Sequence, residues 1–259
     1  MKLLYVGDIY GNPGRTAAAH FIPKIKKQHN IDIVIANGEN SAGGVGITEK
    51  TYQEMMDAGI DILTSGNHIW DKKEIFDFID KYPNIIRPAN YPSGTPGIGY
   101  NIFEKNDVRF AVINLLGRTF MPPIDSPFIK VDEILADLKC KTDIIFLDFH
   151  AETTSEKMAM GWYLDGKITA LVGTHTHIQT ADERILPNQT AYITDLGMVG
   201  AWNSILGVDK DIVIQQFRTG LPVRFKPATG EKVFCAVIIE FDETNGKAIS
   251  IERIKEILQ

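Results

Sequence analysis

"DIVIANGEN", residues 32–40, runs an unbroken apolar segment into a glycine, a carboxylate and an amide. A stretch of Ile, Val and Ala without polar alternation reads as a strand buried on both faces, the kind that parallel sheets contain. Its neighbours repeat the design. "KLLYVGD" (2–8) precedes it and "DILTSGNH" (61–68) follows it, with helical patterns expected after Pro13, Thr48 and Asp71. Short apolar runs alternating with helices are the signature of βαβ units, and so of an α/β fold built on parallel strands.

Local punctuation agrees. Asn12 and Pro13 read as the cap and first residue of a helix, Pro23 as a residue that kinks or divides it, Gly59 as a helix stop, and Asp71 with Glu74 as a capping box. Beyond residue 100 the pattern changes. "NIFEKNDVRFAVINL" (101–115) folds back about Asn106-Asp107, and "VFCAVIIEFDETNGKAISIERI" (233–254) about Asn245-Gly246. Antiparallel hairpins added to parallel units suit two packed mixed sheets with helices outside, a four-layer α-β-β-α sandwich. One domain over residues 1–259 is expected. Seven of the 12 prolines fall between Pro83 and Pro127, which marks that stretch as a candidate lid or small cap.

Composition narrows the function. A formal charge of -6 over 259 residues, 23% of them charged, argues against a stable grip on long nucleic acid. Lys24, Lys26 and Lys27, like Lys72 and Lys73, read as solvated helix faces. Cys140 and Cys235 have no metal-ligand spacing and read as buried apolar thiols. Asp8 interrupts the N-terminal apolar run too early for a secretory segment, and no run reaches the ~18 residues of a membrane span. A cytoplasmic location is the expectation.

The residues that follow each strand are informative as a set. Asp8 follows "LLYVG", Glu39 and Asn40 follow "DIVIANG", Asn67 and His68 follow "DILTSG", His150 ends "DIIFLDFH", and His175 and His177 follow "ITALVGT". Parallel strands deliver their carboxyl ends to one edge of a sheet, where ligands bind. Any one of these residues could simply cap a helix or begin a turn. Five successive ends bearing oxygen or imidazole donors point instead to metal, and seven donors exceed what one four-coordinate ion needs. Two ions are the economical reading. Donors of this type without thiolate suit manganese, iron or zinc. His20 and His29 lie inside the first helical segment and are left as surface residues.

"GDIYG" (7–11), "GEN" (38–40), "GNH" (66–68), His150 and "GTHTH" (173–177) together resemble the metallophosphoesterase (calcineurin-like) pattern. Tyr10 stands where that pattern has a histidine, and Glu39-Asn40 where it has an aspartate. With "NGENSAGGVGIT", "TSGNHIWDKKEI", "GTHTHIQTADERILPNQTAYITDLGMVG" and "NSILGVDK", the chain resembles the YmdB-like phosphodiesterases over nearly its whole length. The resemblance implies a metallophosphoesterase-like sandwich, two divalent or mixed-valence transition-metal ions, and hydrolysis of small cyclic nucleotides, particularly 2',3'-cyclic nucleoside monophosphates. Attack by a hydroxide shared between the ions would be in line with the leaving group.

Carried over by position, Asp8, Glu39, Asn40 and His177 hold one metal, and Glu39, Asn67, His150 and His175 the other. His68 follows a ligand and is the candidate catalytic acid, since a departing ribose alkoxide needs a proton. The glycines of "SAGGVG" could let backbone amides approach phosphate or form a plain mobile loop, Arg15 reads as a surface residue rather than a phosphate clamp, and Asp195 is expected to support the site without binding metal. A phosphomonoesterase, a short-RNA nuclease, or a non-catalytic RNA- or protein-binding regulator with a structural metal site are the rival readings. A homo-oligomer is left open.

Overall fold

The computed structural model describes residues 1–259. The first half of the chain contains β1 (Lys2–Val6), β2 (Asp8–Ile9), α1 (Gly11–His29), β3 (Ile33–Asn37), α2 (Glu49–Asp57), β4 (Ile62–Thr64), α3 (Ile75–Phe78), β5 (Ile85–Ile86), β6 (Tyr100–Lys105) and β7 (Val108–Leu116). The second half contains α4 (Pro127–Leu138), β8 (Ile145–His150), α5 (Thr154–Leu164), β9 (Ala170–Thr174), β10 (Arg184–Ile185), β11 (Ala191–Ile193), β12 (Met198–Ala201), α6 (Lys210–Thr219), β13 (Lys232–Phe241) and β14 (Ala248–Leu258).

Two mixed sheets result. In the first the order is β2-β12-β13-β1-β3-β4-β5, and β14 lies along the other edge of β13; in the second it is β10-β11-β9-β8-β7-β6. The parallel core of the first sheet is β1, β3, β4 and β5, and that of the second is β7, β8, β9 and β11. Both expected hairpins form: Lys105 pairs with Val108 across Asn106-Asp107, and Phe241 with Ala248 across the loop holding Asn245-Gly246.

Three apolar cores separate four layers. Leu4, Val6, Val34, Ala36 and Leu63 face Ile22 of α1 and Met55 of α2. Leu3, Tyr5, Ile33 and Ile35 on the opposite face meet Val112, Phe146 and Val172 of the second sheet. Leu147 and Leu171 on the far face of that sheet pack against Ile134 of α4 and Met160 of α5. Every residue of β3 is buried: Ile33 to Ala36 as the apolar run requires, and Asn37 at its end because its amide donates to the Ser65 carbonyl and Asp148 Oδ2. The fold is the four-layer α/β sandwich of two mixed sheets, and no helix is long and apolar enough to cross a membrane.

Several local expectations are corrected. α1 begins at Gly11, whose φ of 58° turns the chain out of β2, so Asn12 and Pro13 lie within the first turn. Pro23 does not divide α1; it is exposed, and the carbonyl it deprives belongs to exposed Ala19, where water can serve. Asp71 and Glu74 form no capping box: Asp71 accepts from His68, Glu74 accepts from the Glu49 backbone, and α3 is a single turn. Thr48 and Thr51 form such a box at α2 instead. Cys235 is buried, but Cys140 is exposed at a left-handed φ in the turn after α4. Residues 83–127 include β5, β6 and β7, with irregular chain at 87–99 and 117–126.

Candidate metal centre

The carboxyl ends of β1, β3, β4, β8 and β9 reach one edge of the sandwich and bring all seven sequence-selected donors together. Glu39 is 1% exposed, and Oε1 lies 3.0 Å from His150 Nε2 and accepts from Asn40 Nδ2 at 3.2 Å. Two groups of donors flank it. On one side Asn67 Oδ1 and His175 Nδ1 each stand 3.0 Å from His150 Nε2. On the other, His177 Nε2 lies 3.2 Å from the Asn40 amide nitrogen, and Asp8 Oδ1 lies 4.0 Å from both His177 Nε2 and His150 Nδ1. His175 and His177 thus face different groups.

Each inward-facing imidazole is held from behind. His150 Nδ1 lies 2.9 Å from Thr174 Oγ1, which donates to buried Asp148 Oδ1 at 2.6 Å. His175 Nε2 lies 2.8 Å from Glu152 Oε2, and His177 Nδ1 lies 2.9 Å from the Leu206 carbonyl. An acceptor behind a ring fixes which nitrogen keeps its proton and aims the other at the centre, the orientation that metal ligands require. Glu152, Thr174, Asp148 and Leu206 went unread in the sequence. Glu152 carries one faint signal, its position two residues after His150.

The electrostatics are those of a centre short of positive charge. Burial raises the Asp8 carboxyl well above the usual range, and the His150 cation only partly offsets this. Burial also acts to raise Glu39, but His150 and His68 together outweigh it and hold the carboxyl down at about 2. Burial acts to lower His150, yet the charges of Glu39, Asp8 and Asp148 carry it up to about 9, while burial and the neighbouring His150 push His175 down to about 3. Asp8 Oδ1 is buried without a hydrogen-bond partner, a cost that a bound cation would remove. Glu39, His150 and His175 offer donor atoms within 4.8 Å of one another and form a site that could hold a metal ion. Gly66 leaves the room: a Cβ there would stand under 3.0 Å from both His150 Nε2 and Glu39 Oε2.

His68 stands beside this cluster. Its backbone N–H donates to Glu39 Oε2 at 2.9 Å, and its Nδ1 lies 2.7 Å from Asp71 Oδ2. Tyr10 is in edge contact with the His177 ring, and side chains at Gly44 or Gly207 would collide with its own ring. Arg15 is no clamp on the centre: it pairs with Glu54 at 2.5 Å and donates to the Ser41 carbonyl. The amides of Ser41, Ala42, Gly43 and Gly44 bond within their own turn, so they are not presented to an anion. Asp195 accepts from the Thr176 and Gly197 amides. His20 lies against Lys24 on α1, away from the centre.

Comparison with known proteins identifies the family of the chain. A 2',3'-cyclic-nucleotide 2'-phosphodiesterase of Bacillus subtilis (strain 168) is 54% identical over 254 residues, covering 98% of this chain and 96% of that protein. A hypothetical protein from Thermus thermophilus superposes with a TM-score of 0.93 at 38% identity, covering 99% of both chains. A Mycoplasma pneumoniae protein described as a novel phosphatase gives 0.94 at 34% identity, over 99% of this chain and 93% of its own. The family model of YmdB-like proteins matches residues 4–254, a span that takes in all seven donors and His68, and the chain belongs to that family.

Proposed function

We propose that the chain is a metal-dependent phosphodiesterase of small cyclic nucleotides, acting first on 2',3'-cyclic nucleoside monophosphates. The observation that carries the reading is the division of the donors around Glu39, in a chain 54% identical to a protein named for that activity. Asp8, Asn40 and His177 would hold one cation, Asn67, His150 and His175 a second, and Glu39 would reach both. Oxygen and imidazole donors suit manganese, iron or zinc, and the resemblance to the YmdB-like phosphodiesterases favours iron or manganese with zinc as the alternative. When bound, two such cations lower the pKa of a water nucleophile and offset the charge that builds during in-line phosphoryl displacement.

The chain's own groups supply the rest. Water oxygen bonds to phosphorus as the bond to one ribose oxygen breaks, and that oxygen leaves needing a proton. His68 is the donor in this reading. Asp71 holds its Nδ1, so Nε2 is the nitrogen left for the substrate, and Glu39 fixes its peptide. The acid and the two donor groups are therefore referenced to one carboxylate. The same reading takes residues 1–259 as a single domain, with the irregular chain within 83–127 flanking the site as a lid or small cap. It places the enzyme in the cytoplasm, with no stable hold on long nucleic acid and with self-association permitted.

The test is to purify the protein, measure iron, manganese and zinc per chain, and assay 2',3'-cyclic AMP beside 3',5'-cyclic AMP and phosphomonoesters. About two metals per chain and turnover of the 2',3'-cyclic ester are expected. Metal-free protein active at the same rate, or exclusive activity on monoesters, would refute the reading.

A further inference from the structure

His175 and His177 sit at φ values of 100° and 63°, in the left-handed region that residues bearing a Cβ avoid. Such a backbone persists only where the surroundings impose it. The residue between them shows what does. Thr176 N–H donates to Asp195 Oδ2 at 3.1 Å, while Asp195 Oδ1 accepts from Gly197 N at 2.8 Å. The carboxylate is fully buried, and so is its one ionic partner, Lys157, whose Nζ lies 2.7 Å from Oδ2. Lys157 reaches it from α5 by passing close to Gly173, where a Cβ would come within 2.9 Å of Lys157 Cδ. Further bonds join the two loops: Asp195 N to Thr180 Oγ1, Thr180 N to Asp195 O, and Leu196 N to Gly173 O.

A buried ion pair is a poor source of net stability, because desolvation offsets most of the attraction. Here it does something an apolar pair could not. Two carboxylate oxygens serve two peptide N–H groups at once, and the lysine ammonium holds the carboxylate in place from the α5 side. We propose that Lys157 and Asp195 are positioning residues for metal uptake: by pinning the Thr176 peptide they present His175 and His177 to two cations in the conformation that binding needs. The inference rests on the reading of both histidines as ligands. Neither Lys157 nor Asp195 touches the metals or the substrate in this scheme.

The experiment titrates metal-free wild type, Lys157→Met, Asp195→Asn and the double variant with Mn²⁺ alone, and records the melting temperature of each metal-free form. Both single variants should melt lower and bind Mn²⁺ about 10- to 100-fold more weakly, the usual penalty for disturbing groups behind metal ligands. The double variant has no unpaired buried charge and should regain most of the melting temperature. Its affinity should stay low, because an asparagine offers one oxygen to two N–H groups and turns its own N–H toward the other. If a single variant does not fold, the double variant carries the test. Affinity that recovers together with melting temperature, or single variants that bind as wild type does, would overturn the proposal alone. Wild type that binds no Mn²⁺ would overturn the ligand reading and this inference with it.

Discussion

His68 Nδ1 and Asp71 Oδ2 lie 2.7 Å apart, three residues from each other along the turn that follows β4. A carboxylate held at one ring nitrogen orients the imidazole and turns the other nitrogen outward, where a group leaving the substrate can reach it. His68→Ala is expected to retain metal and fold while losing about 10²- to 10⁴-fold in turnover of 2',3'-cyclic AMP, the range typical of a positioned acid. Asp71→Asn should show a smaller loss of the same kind. Bis(nitrophenyl) phosphate should be much less affected in both variants, because nitrophenolate leaves without a proton. Equal losses on both substrates would assign His68 to substrate positioning, and loss of metal would make it a ligand.

Glu39 Oε1 faces His150 and Asn40, one member of each donor group. Glu39→Ala should therefore empty both positions, whereas His175→Ala and His177→Ala should each retain about one metal per chain and lose different ones. Metal analysis of the three variants checks this, with anomalous scattering to show which position is vacant. Loss of both metals from either histidine variant, with Glu39→Ala retaining one, would reverse the assignment.

The layered fold and the convergence of the seven candidate residues were legible in the sequence because both follow from local signals. Apolar runs such as 33–36 cannot lie on a half-solvated sheet, and polar residues directly after them must fall on the carboxyl edge. What was not legible depends on partners distant in sequence. Asp195 is 38 residues from Lys157, and Leu206 is 29 from His177. No spacing rule connects them. The Asp71–His68 contact was in reach, since three residues can close a turn, but Asp71 with Glu74 also matched a helix cap and local chemistry alone did not separate the two. The start of α1 was misplaced by the same kind of competition: Asn-Pro is a common helix opening, yet Gly11 can adopt the φ of 58° that starts the turn earlier.

The two cysteines should behave oppositely. Cys140 is exposed and should alkylate in the native protein, while Cys235 is buried and should label only on unfolding. Burial pushes the Cys235 thiol up to about 11. Its raised folded value means the neutral thiol favours the fold fully below pH 9, and this contribution is lost as pH rises from about 9 to 11. The two-unit shift corresponds to about 2 to 3 kcal/mol at most. Cys235→Ala should flatten the fall in melting temperature over that range. Mass mapping of the labelled sites checks the first expectation and alkaline melting the second; native labelling of Cys235 at pH 7.5 would contradict both.

Gly66 and Gly43 separate the two reasons a glycine can be required. Gly66 does not occupy a left-handed backbone, so alanine is conformationally acceptable there, but its Cβ would stand under 3.0 Å from His150 Nε2 and Glu39 Oε2. Those atoms are the inward-facing donors, and they cannot yield without leaving the positions that define the centre. Gly43 is the converse: at φ +75° a Cβ is strained, yet nothing lies within 4 Å. Gly66→Ala is therefore expected to abolish uptake of at least the ion nearest His150 and to reduce activity to background, with far-UV circular dichroism and cooperative melting preserved. Gly43→Ala should bind metal normally and lose only about 1 kcal/mol of stability, the order of cost for a Cβ in the left-handed region. Metal content and melting temperature measured side by side decide the matter. Normal metal content in Gly66→Ala would show that His150 and Glu39 have room to move, and that the spacing of the donors is set elsewhere.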